Sequence, residues 1–193
     1  AAILAADVVG YSRLMGEDET GTLDALRAHR QELIEPKIAG HKGRIVKLMG
    51  DGLLAEFSST VEAVQCAVEI QHTMGERNAA VPEKKRIIYR IGINIGDIVV
   101  EDEDIFGDGV NVAARLEGLA KPGGICVSSA VVNHVKGKVD VDFEDMGEQR
   151  LKNISQTVRA YLVAPKQPAA GLAPGGETEL ALPNKPSIAV LPF

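Results

Sequence analysis

The sequence predicts an α+β sandwich on the ferredoxin-like split βαβ plan, an antiparallel sheet with helices packed on it. Three observations carry that prediction. A short apolar run opens the chain; two further apolar runs are split by Gly50-Asp51-Gly52; and segments with apolar residues at helical spacing follow the first run and the second pair. The order that results is β-α-β-β-α-β.

AILAADVV, residues 2–9, reads as a buried strand with one acid, Asp7, near its end. GYSRLMGEDETGT is a polar, glycine-punctuated connector. Leu23, Leu26, Leu33, Ile34 and Ile38 recur at roughly helical spacing, predicting a helix over about 20–38 that Pro36 kinks or ends. Residues 44–57, RIVKLMGDGLLAEF, form a hairpin, because Asp51-Gly52 favours the tight turns that match strand twist. Ser59 with Glu62 makes a capping box and opens a second helix through about Met74. Ile87–Val100 reads as β structure interrupted at Gly96-Asp97, and Asp108 or Gly109 starts a third helix to about Leu119. After the turn at 121–124, ICVSSAVV and the segments near 139–145 and 157–163 complete the sheet and its cover.

The chain of 193 residues holds one domain, 1–163, and a tail. A domain that size buries roughly 70% of the surface of its unfolded chain, enough for a real core. Six of the nine prolines fall between Pro165 and Pro192, so 164–186 reads as a Pro/Gly/Ala-rich linker. SIAVLPF, 187–193, looks like the start of a further domain. The net charge of −6 is spread along the chain, which argues against a groove for a nucleic-acid polymer. No apolar run approaches the roughly 20 residues of a membrane span, and no signal peptide opens the chain, so no membrane contact and a cytoplasmic setting are expected. Cys66 and Cys126 lack a CxxC partner and read as buried thiols; the four histidines match no metal spacing.

Two carboxylates stand out. Asp7 ends the first strand and Asp51 sits in the hairpin turn, and a split βαβ sheet places those strands side by side. Two carboxylates with substrate phosphates suit Mg²⁺, which keeps octahedral oxygen coordination. Taken singly, each acid reads equally well as a turn or strand-end residue. Val8, Val9, Gly10, Tyr11 and Ser12 offer main-chain N–H groups at a strand-to-helix connection, where a triphosphate can be held. Asn111 and Arg115 are four apart and share a helix face suited to an oxyanion or a ribose; the alternative is a solvated face with Arg115 paired to Glu117 or Glu101. Lys47 interrupts an apolar strand, as an edge guard or as a deliberate donor. Asp104 belongs to the acidic run 101–104, whose spacing fits no EF-hand, and Gly107-Asp108-Gly109 lacks the third glycine of a dinucleotide fingerprint.

Together these residues resemble the class III adenylate and guanylate cyclase catalytic domain, a palm-type fold, over about 2–163. ADVVGYS is similar to its first metal-aspartate motif, and KLMGDG to its base lysine and second aspartate. DIFGDGVNVAARLE is similar to its base-acid, asparagine and arginine helix, and LKNISQTVRAYLV to its closing strand. The resemblance implies that Asp7 and Asp51, with Val8 beside them, hold two Mg²⁺ ions, for which Mn²⁺ can substitute. It implies that Lys47 and Asp104 read adenine, Asn111 orients the ribose, Arg115 stabilises the α-phosphate and Lys152 contacts the terminal phosphates. Guanylate cyclases usually place Glu and a small residue such as Cys at the positions of Lys47 and Asp104, so ATP is the expected substrate and cyclic AMP the product. The family works as dimers with shared sites, which implies a homodimer with the aspartates from one chain and Lys47, Asp104, Asn111 and Arg115 from the other. A catalytically silent, nucleotide-binding regulatory module is the alternative. A diguanylate cyclase, which shares the strand order, is disfavoured because its Gly-Gly-Asp/Glu-Glu-Phe hairpin is absent.

Overall fold

The computed structural model describes residues 1–101 and 104–166. In chain order it contains β1 (Ala2–Val8), α1 (Tyr11–Glu17), α2 (Glu19–His29), a π-helical turn (Arg30–Ile34), α3 (Glu35–Gly40), β2 (Gly43–Met49), β3 (Gly52–Phe57) and α4 (Thr60–Ala79). There follow β4 (Tyr89–Ile95), β5 (Val99–Glu101), β6 (Asp104–Phe106), α5 (Asp108–Leu119), β7 (Ile125–Ser128), α6 (Ser129–Val135), β8 (Val141–Gln149) and β9 (Val158–Pro165). Seven strands make one sheet in the order β2-β3-β1-β4-β7-β9-β8, and β5 pairs with β6 in a separate ribbon.

The split βαβ expectation holds over the first four strands of that order, with β1 flanked by β3 and β4 in antiparallel register. Further on the sheet is mixed, because β4 and β7 run parallel. The reason is the α5 crossover: strands joined through a helix return in the same direction, whereas hairpins reverse it. Helices cover both faces. Ala2, Leu4, Ala6 and Val8 share one cluster with residues of α2–α3 and α4, while the alternate Ile3 and Ala5 pack with Val110 and Ala113 of α5.

The segment expected as a connector at 10–22 is helical from Tyr11, with Gly10 in the left-handed region (φ 67) at its N-cap. Short helices of mixed polarity escape a periodicity reading. Pro36 neither ends nor sharply interrupts the predicted helix. It sits in the first turn of α3, and the preceding π turn, closed by Glu35 N–H to the Arg30 carbonyl, absorbs the bond it cannot make. The hairpin turn is Gly50-Asp51, flanked by the Met49–Gly52 pair, with Gly50 at φ 58. Glycine therefore serves the first turn position rather than following the aspartate. Ser59 accepts from the Glu62 N–H, as the capping box predicts. Both cysteines are free and buried, and burial raises the Cys66 thiol to about 12. β9 reaches Pro165, past the boundary expected at 163; residues 167–193, with the rest of the expected linker and the further domain, lie outside the described residues.

Candidate active site

The first carboxylate is placed by strand register. Asp7 stands opposite Arg90 across the β1–β4 pairing, and Arg90 Nη2 lies 3.3 Å from its Oδ2. The second carboxylate arrives through the hairpin: β3 pairs with β1 up to Leu53–Ala6, which carries the turn residue Asp51 to the end of β1. The two acids meet. Burial pushes the Asp51 carboxyl up to about 6, and a hydrogen bond with the Asp7 side chain adds to the rise, while main-chain N–H bonds at Asp51 and Val8 oppose it.

A third acid joins them that the sequence reading paired elsewhere. Glu117 Oε1 is 3.1 Å from Arg90 Nε, and its side chain is 12% exposed. Glycine makes this approach possible. A Cβ at Gly92 would sit 2.2 Å from both the Ala113 carbonyl and the Glu117 nitrogen, so only a residue without a side chain lets α5 lie this close to β4. Burial pushes the Glu117 carboxyl up to about 7, with Asp7 adding to the rise and Arg90 opposing it. Arg115 does not pair with Glu117; its Nε donates to the Lys152 carbonyl at 3.2 Å. Residues two apart on a helix point to different sides, and here one faces the sheet and the other solvent. Arg90 was the residue missed altogether. A cation inside the apolar run Ile87–Ile95 is the same signal that marked Lys47 in β2.

Three carboxyls gather near the tips of β1 and β3, and the one guanidinium pairs with two of them, Asp7 and Glu117, which leaves an excess of negative charge. That crowding fits a divalent cation, which relieves the repulsion that one arginine only partly offsets. Among the described residues no group of three or more His, Cys, Asp or Glu is arranged to hold a metal by itself, so phosphate and water would complete the coordination.

The remaining predicted residues lie elsewhere on the chain. Asn111 and Arg115 occupy the exposed face of α5, opposite the face that carries Val112, Ala113 and Leu116 into the core. Lys152 is exposed, with its main chain against Arg115. Lys47 is half-buried in β2, and β6, which begins at Asp104, packs beside β2. The strands bearing the two base-reading candidates are thus neighbours, although the Asp104 side chain lies outside what is described. In the expected phosphate loop, the Val9 N–H is already bonded to the Ile88 carbonyl at 2.8 Å. The first-turn amides at Tyr11 and Ser12 have no acceptor within their own helix.

Comparison with known proteins decides the family. The model of the adenylate and guanylate cyclase catalytic domain matches residues 1–165. The chain belongs to this cyclase family. A Rhizobium meliloti (strain 1021) protein provisionally named adenylate cyclase 3 is 50% identical over 196 residues, covering 100% of this chain and 33% of its own length. The cyclase domain described here therefore spans about a third of that relative. The crystal structure of an adenylate/guanylate cyclase/hydrolase from Silicibacter pomeroyi has a TM-score of 0.80 at 53% identity, covering 85% of this chain and 95% of that one. An adenylyl cyclase from P. aeruginosa shares the fold at a TM-score of 0.72 and 23% identity, covering 86% of this chain and 94% of that one. Among the described residues no helix is long and apolar enough to cross a membrane.

Proposed function

We propose that this domain is an adenylate cyclase that converts ATP to 3′,5′-cyclic AMP and pyrophosphate in sites shared by two copies of the chain. The observation that carries the reading is the meeting of Asp7 and Asp51 beside Arg90, with Asn111 and Arg115 turned outward on α5. One chain offers a carboxylate half-site and, on a different surface, a cationic and amide half-site. Two copies related by a twofold axis would complete each other twice.

In the reaction the ribose 3′-oxygen bonds to the α-phosphorus, and the bond from that phosphorus to the bridging oxygen breaks. Pyrophosphate leaves with the electron pair, and the hydroxyl proton passes to solvent. Two Mg²⁺ ions held at Asp7, Val8 and Asp51, with Mn²⁺ able to replace them, would supply an acidified hydroxyl and a clamp on the phosphates. Lys47 would donate to the adenine ring and Asp104 accept from its exocyclic amine. Asn111 would orient the ribose. Arg115 would oppose charge growing on the α-phosphate, and Lys152 and Arg90 would face the other phosphates, for which a planar guanidinium is suited.

The test is cyclic nucleotide production from ATP and from GTP with Mg²⁺ or Mn²⁺. Cyclic AMP from ATP supports the reading, and cyclic GMP alone contradicts the assignment of Lys47 and Asp104. The double variant Lys47→Glu with Asp104→Cys is expected to shift preference toward GTP, read as the ratio of kcat/KM values for the two substrates.

A further inference from the structure

Arg90 is gripped unusually. Its Nε and Nη2 groups form one edge of the guanidinium, the edge that ordinarily takes a single carboxylate in a two-point fork. Here that edge is divided between two acids. Glu117 stands at Nε, 3.1 Å away, and Asp7 holds Nη2 by one long contact of 3.3 Å. Arg90 Nε and Glu117 Oε1 are buried, and neither has an aligned hydrogen bond, so they meet as an ion pair only. Buried polar atoms left in that condition ask for a reason. The other edge, at Nη1, carries none of these contacts.

We infer that Glu117 is a positioning residue: by occupying the Nε side it stops Arg90 from locking onto Asp7 and leaves the Nη1 side of the guanidinium available to the nucleotide phosphates. The inference rests on the cyclase reading for the identity of the ligand, but the geometry belongs to the chain alone. Without Glu117, Arg90 has one acid within reach, and a two-point fork with Asp7 becomes its best arrangement. That fork would withdraw from the site both a carboxylate intended for a cation and a cation intended for phosphate. Gly92 serves the same end, since a Cβ there would collide with the Glu117 nitrogen and push it away from β4.

Simple electrostatics makes the opposite prediction. Removing a negative charge near a triphosphate lessens repulsion and should tighten binding. The sign of the effect therefore separates positioning from bulk charge. The experiment is equilibrium binding of 3′-deoxy-ATP, which lacks the attacking hydroxyl, with Mn²⁺ to the intact chain, measured by calorimetry for wild type, Glu117→Gln, Arg90→Ala and the double variant. Positioning predicts that Glu117→Gln weakens binding by about tenfold, the worth of one charge-assisted contact. It also predicts that the same change costs less than about twofold once Arg90 is Ala, because coupled residues are not additive. Binding as tight as or tighter than wild type in Glu117→Gln, or an equal loss in the Arg90→Ala background, would overturn it. Should the Gln variant not fold, Glu117→Asp replaces it; it keeps the charge but withdraws the carboxylate by one methylene, and weaker binding is again expected. A wild type that binds the analogue yet yields no cyclic nucleotide would remove the cyclase reading and leave this test intact.

Discussion

Asp7 is the residue on which the acidic cluster turns. It is hydrogen-bonded to Asp51, paired with Arg90, and close enough to Glu117 to raise that carboxyl. Asp7→Ala is expected to abolish cyclic nucleotide formation while leaving the fold intact, which paired turnover and thermal-unfolding measurements would check. Arg115→Ala is expected to lower kcat by about 10²–10³ with a smaller change in KM, the usual loss when a preorganised donor to the transition state is removed. The positions of Asp7, Asp51, Asn111 and Arg115 in the fold were legible as those of candidates, because each sits where a regular pattern breaks: a strand tip, a turn, or a polar pair on an amphipathic helix. The pairing of Glu117 was not legible. Its neighbour Arg115 offered an obvious partner along the chain, and only the α5–β4 approach, set by Gly92, reveals Arg90 as the real one.

At the scale of elements, the close contact between α5 and β4 is the joint on which the site depends. Gly92→Ala would force a methyl group onto the α5 backbone, and overpacking of that kind costs about 1–3 kcal/mol. A lowered Tm is expected, together with nucleotide binding weakened in the same direction as by Glu117→Gln. A second joint lies across the molecule, where α2 meets α4. Arg77 Nη1 lies 3.2 Å from His29 Nδ1, a contact that needs a neutral imidazole. Burial, aided by the Arg77 charge, holds the His29 pKa below its ordinary 6.5. The folded state therefore resists protonation there, and stability present above pH 6.5 is lost as pH falls through that value. His29→Gln should lose less stability than wild type between pH 7 and pH 5, measured by urea unfolding at each pH. The helical register of α2 and α4 was readable from apolar spacing. The π turn was not, because it answers to one missing N–H at Pro36 rather than to any period.

For the whole molecule, the arrangement is a sheet covered on both faces, with an acidic cluster near the β1–β3–β4 tips and Asn111 and Arg115 on the outward face of α5. The plan of the first four strands followed from the run of elements in the sequence. The parallel β4–β7 pairing did not, because strand direction depends on where a crossover helix lands rather than on residue patterns. If two copies share each site, activity follows the dimer, and specific activity should rise with protein concentration until association saturates. The measurement that tests this most directly is complementation between two individually inactive variants, Asp7→Ala and Arg115→Ala, assayed for cyclic AMP alone and mixed in equal amounts. Each mixed dimer would retain one intact site of two, so the mixture should recover about a quarter of wild-type activity under twofold symmetry. A mixture as silent as its components, alongside an active wild type, would place the whole site within one chain and contradict the account.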